Sequence, residues 1–323
     1  MKPIIKALLR AVAATALAAW GGTAQAQQNY PSKVVNMIVP YPAGAASDTV
    51  ARLIASHLQK AWGQTVVVQN KPGASGIIGA NLVAHAPGDG YTILVSNTSL
   101  IQLPTMMKLP FDPFKDLVPV VQTIRISNLF IVPLASPAKT LADFVATAKQ
   151  RPGHSNYGTW GAGSSAHIHG ELLSQQTGAQ LVPVPFQGSA PMMTNLIGGQ
   201  IDSGIADIAS VKPHAKSVRV LAVTGPERVA AFPDVPTFTE LGYKSFEPRG
   251  WHGLFVPAGT PQAVVEKISA EVDRILALPE VKESIDTLGV LPGGGTPQEF
   301  AQAIRDDARI YADIIKAANI RLD

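Results

Sequence analysis

Residues 161–166 read Gly-Ala-Gly-Ser-Ser-Ala, inside the longer stretch YGTWGAGSSAHIHGELL at 157–173. The spacing fits the G-x-G-x-x-G/A pattern of a dinucleotide loop. Two further glycine-rich turns occur upstream, PYPAGAASD at 40–48 and NKPGASGIIGA at 70–80. Each turn leads from a strand-like run into a helix-like one. Such a turn lets the backbone approach a ligand closely, and the following helix aims unpaired N–H groups at it. Anion binding is the chemistry expected. The pattern alone leaves open a nucleotide phosphate, another anion, or a turn with only a structural role.

The residue types favour a small anion. Ser47, Thr159, Ser164 and Ser165 offer hydroxyls, while Gly44, Gly161 and Gly163 leave the backbone open. No lysine or arginine is required in these turns, which points to a carboxylate held by neutral dipoles rather than a polyphosphate. One helix N-terminus contributes only about 0.3–1 kcal/mol. Several donors in a closed cleft are needed to reach the roughly 8 kcal/mol of micromolar binding.

Other side chains carry two readings each. Asp48 either favours the first helical turn electrostatically or touches ligand. Asp207 is a structural acceptor or a pocket group for a ligand amine or protonated carboxyl. Trp160 and Tyr41, in polar turns, are candidate cleft walls, and Trp251 is either core or wall. Arg249 suits a bidentate carboxylate contact, with surface arginine as the default. His167 and His169 are two apart and share no helix face, so they make a poor metal pair. Both are expected on the surface or behind the site, with His167 near the cleft, and neither metal nor cofactor is expected.

No G-x-S-x-G or H-E-x-x-H occurs, and Ser164 or Ser165 stands too near His167 along the chain for a productive nucleophile–base pair. A secreted hydrolase or isomerase remains a minor alternative.

Lys2, Lys6 and Arg10 precede a short apolar run, Ala11–Ala19, and then Ala24-Gln25-Ala26. These are the parts of a secretory signal peptide over 1–26, cleaved before Gln27. The periplasm is the expected compartment. Export argues against a nicotinamide cofactor, and no later stretch approaches the ~18 apolar residues of a membrane span. Absence of cysteine excludes disulfides, thiolate chemistry, cysteine-ligated zinc and an N-terminal lipid anchor. The formal charge of +3 resides in the leader, since losing three of 26 basic residues leaves 23 against 23 acidic. No basic stripe marks a nucleic-acid surface.

Strand-like runs at 33–39, 65–69, 92–96, 128–133, 219–224 and 253–257 are β-branched and bounded by turn residues, and they read as buried parallel strands. Helical spacing links Val50, Leu53, Ile54, Leu58 and Ala61, and again Val264, Val265, Ile268, Val272, Ile275 and Leu276. Thr260-Pro261 and Thr296-Pro297 read as cap plus first-turn proline, and 140–143 and 296–299 have capping-box spacing. The fold class is α/β, with two sheets whose helix N-termini converge on a cleft.

The ordered motifs YPSKVVNMIVPYPAGAASDTVARLIASHL, VVVQNKPGASGIIGA, PGDGYTILVS, VPFQGSAPMMTNLIGGQID, RVLAVTGPERVAAFPDVPTFTELGY and WHGLFVPAGTP run through nearly the whole mature chain. Together they resemble the Bug family, the extracytoplasmic solute receptors of tripartite tricarboxylate transporters. The resemblance implies a periplasmic-binding-protein fold of the type II-like kind, with two α/β domains, a hinge and a ligand cleft between them. Domain 1 is expected over 27–124 plus 250–323 and domain 2 over 125–249. The implied ligand is a small di- or tricarboxylate, acidic amino acid or aromatic acid. Its carboxylates are implied to sit between a first-domain turn (Tyr41, Ala43, Gly44, Ala45, Ser47, Asp48, with Ser96 nearby) and a second-domain turn (Thr159, Trp160, Gly161, Gly163, Ser164, Ser165). His167 and Asp207 are expected beside the second turn, with some contacts bridged by water. The implied partners are the membrane permease subunits, or alternatively a histidine-kinase sensor that reads the closed state. A monomer without membrane anchoring is expected. The sequence departs from the family pattern at Gly44-Ala45-Ala46, where paired glycines are usual, and at the bulky Trp160. With Arg249, Trp251 and His252 these are candidate specificity elements.

Overall fold

The computed structural model of the chain describes residues 30–44, 46–186, 188–246 and 250–321. The expected signal peptide, Ala45 and Arg249 lie outside the described residues. In chain order the first pass comprises β1 (Val35–Val39), α1 (Ala46–Trp62), β2 (Val66–Asn70), α2 (Ile77–Ala84), β3 (Thr92–Asn97), α3 (Ser99–Met106) and β4 (Leu117–Ile126). The middle segment holds β5 (Asn128–Pro133), α4 (Leu141–Gln150), β6 (Asn156–Thr159), α5 (Ser165–Thr177), β7 (Val182–Pro185), α6 (Ser189–Ile197), β8 (Ser203–Asp207), α7 (Ile208–Val211) and β9 (Val218–Val223). The return pass adds β10 (Gly250–Pro257), α8 (Gln262–Leu276), α9 (Pro279–Thr287), β11 (Leu291–Gly294) and α10 (Pro297–Ala317).

These elements make two α/β units. The first sheet has the order β11-β4-β10-β3-β1-β2 and the second β7-β6-β8-β5-β9. Only Ser127 separates β4 in one sheet from β5 in the other, and the chain rejoins the first sheet at Gly250.

Apolar periodicity fixes which helix faces turn inward. In α8, Val264, Val265, Ile268, Val272, Ile275 and Leu276 are all buried. They join Val35, Met37 and Val39 of β1 and Ile54 and Leu58 of α1 in one core against the first sheet. Each such side chain, fully buried, contributes about 1.5–3 kcal/mol relative to exposure. A second core is continuous across both units, from Leu94 and Phe255 through Phe300 and Tyr311 of α10 to Phe130, Tyr157 and Phe246. Both capping boxes form, Thr140 with Asp143 and Thr296 with Glu299, each with reciprocal side-chain bonds to backbone N–H.

Two expectations are corrected. β1 is parallel to β2 and β3, but β10 runs antiparallel to β3 and β4, and β5 runs antiparallel to β8 and β9. These strands lie at or next to the crossings, where the chain changes direction. They are buried on both faces like parallel strands, so their continuous apolar runs conceal the difference. At the start of α8, Pro261 itself is the N-cap, and the Thr260 hydroxyl donates instead to the Pro257 carbonyl at 2.8 Å.

Candidate functional site

A cleft of about 550 Å³ opens between the two sheets and is lined from both. From the first unit come Tyr41, Pro42, Ser47, Asn97, Thr98, Ser99, Ile126, Gly250, Trp251, His252 and Val290. From the second come Asn128, Trp160, Ser165, Gly188, Asp207 and Ala209. The carboxyl ends of β1, β3, β6 and β8 all reach it, the place where ligands bind in open α/β sheets.

The first wall is built of neutral hydrogen-bonding groups. Ser47, buried in the first turn of α1, places its hydroxyl 3.3 Å from Nδ1 of His252. Burial pulls the His252 imidazole down to about 4, so at neutral pH it carries no charge and can still donate or accept. Thr98 and Trp251 exchange two bonds, Trp251 N donating to Thr98 Oγ1 at 2.9 Å and Thr98 N to the Trp251 carbonyl at 3.2 Å. That pairing ties the start of α3 to β10. Trp251 is buried, and its indole N–H donates to Asp307 of α10 at 3.0 Å, behind the cleft floor.

The second wall is partly aromatic. Trp160 is half-buried and leans on the core shared by the two units. Ser165 accepts a bond from Gln102 Nε2 of α3 at 3.2 Å, a contact that reaches across from the first unit. Asp207 ends β8 and caps α7, its Oδ1 accepting from Ser210 N at 2.8 Å. Asn128, its register partner on β5, lies 3.2 Å through Nδ2 from His169 Nδ1.

Of the residues expected at the site, Tyr41, Ser47, Trp160, Ser165 and Asp207 line the cleft, together with Trp251 and His252. The other described ones lie in or behind the adjoining turns and strand ends. Asp48 is engaged by Gly44 N at 2.9 Å, Arg52 Nε at 3.0 Å and Asn70 Nδ2 at 2.9 Å. Burial raises its carboxyl, but these bonds outweigh that and bring it to about 2. Ala43 and Gly44 are exposed in the same turn, Gly44 at φ 83°. Ser96 is buried behind Tyr41. Thr159 is buried and its hydroxyl donates to the Gly161 carbonyl at 3.1 Å. Ser164 caps α5, accepting from His167 N at 3.3 Å and donating to the Gly161 carbonyl at 2.7 Å. Gly161 and Gly163 hold positive φ, 151° and 70°, which the turn needs. His167 accepts from Gly163 N at 3.0 Å through Nδ1 and so braces the turn. Of the two places expected for His169 it takes the one behind the site, fully buried beside the cleft residue Asn128 and stacked on Phe246.

Sequence reasoning missed Pro42, Asn97, Thr98, Ser99, Ile126, Asn128, Gly188, Ala209, Gly250 and Val290. Asn97 to Ser99 follow β3 directly, so the rule that ligands sit past the ends of parallel strands would have found them. Asn128 opens an antiparallel strand, for which no such rule exists. Among the described residues no group of three metal-ligating side chains occurs.

The description of a tripartite tricarboxylate transporter family receptor matches residues 50–320. Protein BugT of Bordetella pertussis is 33% identical over 298 residues, 91% of each chain. Among solved structures, R. palustris Rpa4515 with adipate superposes with a TM-score of 0.80 at 32% identity, covering 90% of this chain and 99% of its own. MatC from Rhodopseudomonas palustris with bound malate has a TM-score of 0.75 at 31% identity, covering 88% and 100%. Periplasmic binding protein BugD has a TM-score of 0.76 at 32% identity, covering 90% of this chain and 99% of its own. With its two sheets, inter-sheet cleft and family match over most of its length, the chain belongs to the receptor family of the tripartite tricarboxylate transporters.

Proposed function

We propose that the protein is a periplasmic receptor that captures a small organic carboxylate and delivers it to the permease subunits of a tripartite tricarboxylate transporter. The working units are domain 1, residues 27–124 with 250–323, and domain 2, residues 125–249, acting as a monomer. The observation that carries this reading is the cleft itself, lined from both units by hydroxyl, amide and neutral imidazole groups. Relatives of the same architecture hold adipate and malate, which supports a carboxylate here.

The mechanism is closure by differential affinity. A carboxylate between Ser47 and His252 on one side and the start of α5 on the other bonds to both walls only when they approach. Ligand therefore shifts the population towards the closed form, and the membrane partner reads that form. Glycines in the two turns keep the backbone open to the anion, and Asp48 and Ser164 hold the turns in shape.

The test is a thermal-shift screen of the mature protein, from Gln27, against a carboxylate panel, followed by calorimetry. A ligand at 100 times its Kd adds about 2.7 kcal/mol of stability. One-to-one binding without turnover is expected for one structural class. A flat panel, with no small molecule retained from expression, overturns the reading. Delivery is tested by uptake in cells lacking the receptor gene, which should recover only when the gene is restored.

A further inference from the structure

The two walls of the cleft differ in kind. Ser47, His252, Thr98 and Ser99, residues with neutral hydrogen-bonding side chains, line it from the first unit, while Trp160 and Asp207 are among those that line it from the second. Among the described lining residues none is lysine or arginine, and Asp207 is the one carboxylate. We propose that the cleft selects an organic acid with a single ionised carboxylate and a flat apolar body bearing a hydroxyl or amine at its far end. The carboxylate faces Ser47 and His252, and the donor faces Asp207. This inference rests on the receptor reading and narrows its ligand class.

The argument is one of charge and polarity. An ionised carboxylate only accepts hydrogen bonds. Asp207 spends part of that capacity on Ser210 N through Oδ1, and the residue lines the cleft. A hydroxyl or amine satisfies it. A second ligand carboxylate would instead meet a like charge, and two carboxylates sharing a site cannot both stay ionised cheaply. The opposite wall suits one anion, since its donors are neutral and a second negative charge would lack a counter-ion among the described residues.

The body of the ligand is set by the remaining lining. Trp160 lines the cleft with an aromatic side chain, and Pro42, Ile126 and Val290 are apolar residues of the same lining. Aromatic rings pair best by offset stacking or edge-on contact. A volume of about 550 Å³ falls within the ~300–1,000 Å³ of small-molecule sites and has room for a ring.

Calorimetry on the mature protein with benzoate, 4-hydroxybenzoate, benzene-1,4-dicarboxylate, succinate and citrate tests this. The expected order places 4-hydroxybenzoate first, about tenfold tighter than benzene-1,4-dicarboxylate. Asp207→Asn keeps an acceptor at the α7 cap and removes the charge, so it should shrink that preference to within about threefold. Trp160→Ala should weaken 4-hydroxybenzoate more than succinate, with the far-ultraviolet spectrum of the free protein retained. The proposal is overturned if the dicarboxylate binds more tightly to the unaltered protein, or if the tenfold preference survives Asp207→Asn undiminished. Binding of succinate or citrate with none of the benzoates overturns the inference and leaves the receptor reading standing. A panel in which nothing binds overturns both.

Discussion

Burial decides the protonation of several side chains around the cleft, and each has a signature in pH. Asp307 lies behind Trp251, and burial, with Asp306 adding repulsion, pushes its carboxyl up to about 7 despite the indole N–H bond that opposes the shift. In the unfolded chain it ionises near 4. Between about pH 4 and 7 the folded state therefore binds the extra proton, and this group's contribution to stability falls as pH rises through that window. Asp307→Asn keeps an acceptor for the indole and cannot ionise. Its denaturant midpoint should gain on that of the unaltered protein from pH 5 to pH 8; parallel curves would show that Asp307 is ionised throughout. The histidines have the opposite sign. His169 and His252 are both pulled down to about 4 by burial, below the 6.5 of an exposed imidazole. The unfolded chain takes up protons first as pH falls, so each costs about 3 kcal/mol of stability by pH 4. His169→Gln should remove one such step, and unfolding curves between pH 6.5 and 4 would be shallower by one proton. Unchanged slopes would mean the imidazole is protonated in the fold.

At the scale of elements, α5 ties the aromatic core to the glycine-rich turn at the cleft. Gly170 faces the Tyr157 ring so closely that a Cβ would fall within it. The Tyr157 hydroxyl meanwhile donates to Glu171 at 2.7 Å and the His167 carbonyl at 3.2 Å, which leaves the ring little freedom to move. Alanine at 170 gains about 1 kcal/mol of helix propensity over glycine, yet overpacking of this kind costs about 1–3 kcal/mol. Gly170→Ala should therefore be net destabilising by about 1 kcal/mol and should weaken ligand binding by shifting Ser165, whereas a stabilised variant would mean that the ring yields. The elements were the most legible part of the sequence. Periodicity placed α1 and α8, and cap spacing placed the starts of α4 and α10. The turns entering α1 and α5 were also legible, because glycine and serine there have backbone work to do. Strand direction was not, since burial on both faces gives parallel and antiparallel strands the same apolar run. Nor was the division of labour inside each turn. Thr159 and Ser164 look like ligand donors from composition, and Asp48 reads equally as a first-turn charge or a ligand contact; only the fold reveals that the Gly161 carbonyl takes both hydroxyls and that Gly44 N, Arg52 and Asn70 take the carboxylate.

At the scale of the whole molecule, the two units meet beside the cleft as well as through the shared core. Gly289, just before the cleft residue Val290, lies against Ile208 and Ala209, the residues that follow Asp207. A Cβ there would come within 3.0 Å of Ile208 Cγ2 and 3.1 Å of Ala209 N. Ala209 N belongs to backbone at the start of α7 and cannot yield without moving the second unit. Small size at 289 is thus a condition for the two walls to approach as they do here. Gly289→Val should act as a wedge, favouring the open form and lowering the apparent affinity in proportion to the closed population that it removes. Backbone strain confounds this variant, because Gly289 has φ +69° and any other residue is strained there. Gly178 provides the control. It shares φ +69°, ends α5, and has nothing within 4 Å of its would-be Cβ. Gly178→Val should lose stability with little change in affinity, while Gly289→Val should lose affinity as well and scatter X-rays with a larger radius of gyration in saturating ligand. Equal affinities in the two variants would mean that closure does not run through this contact, and that the hinge between β4 and β5 alone sets how the cleft shuts.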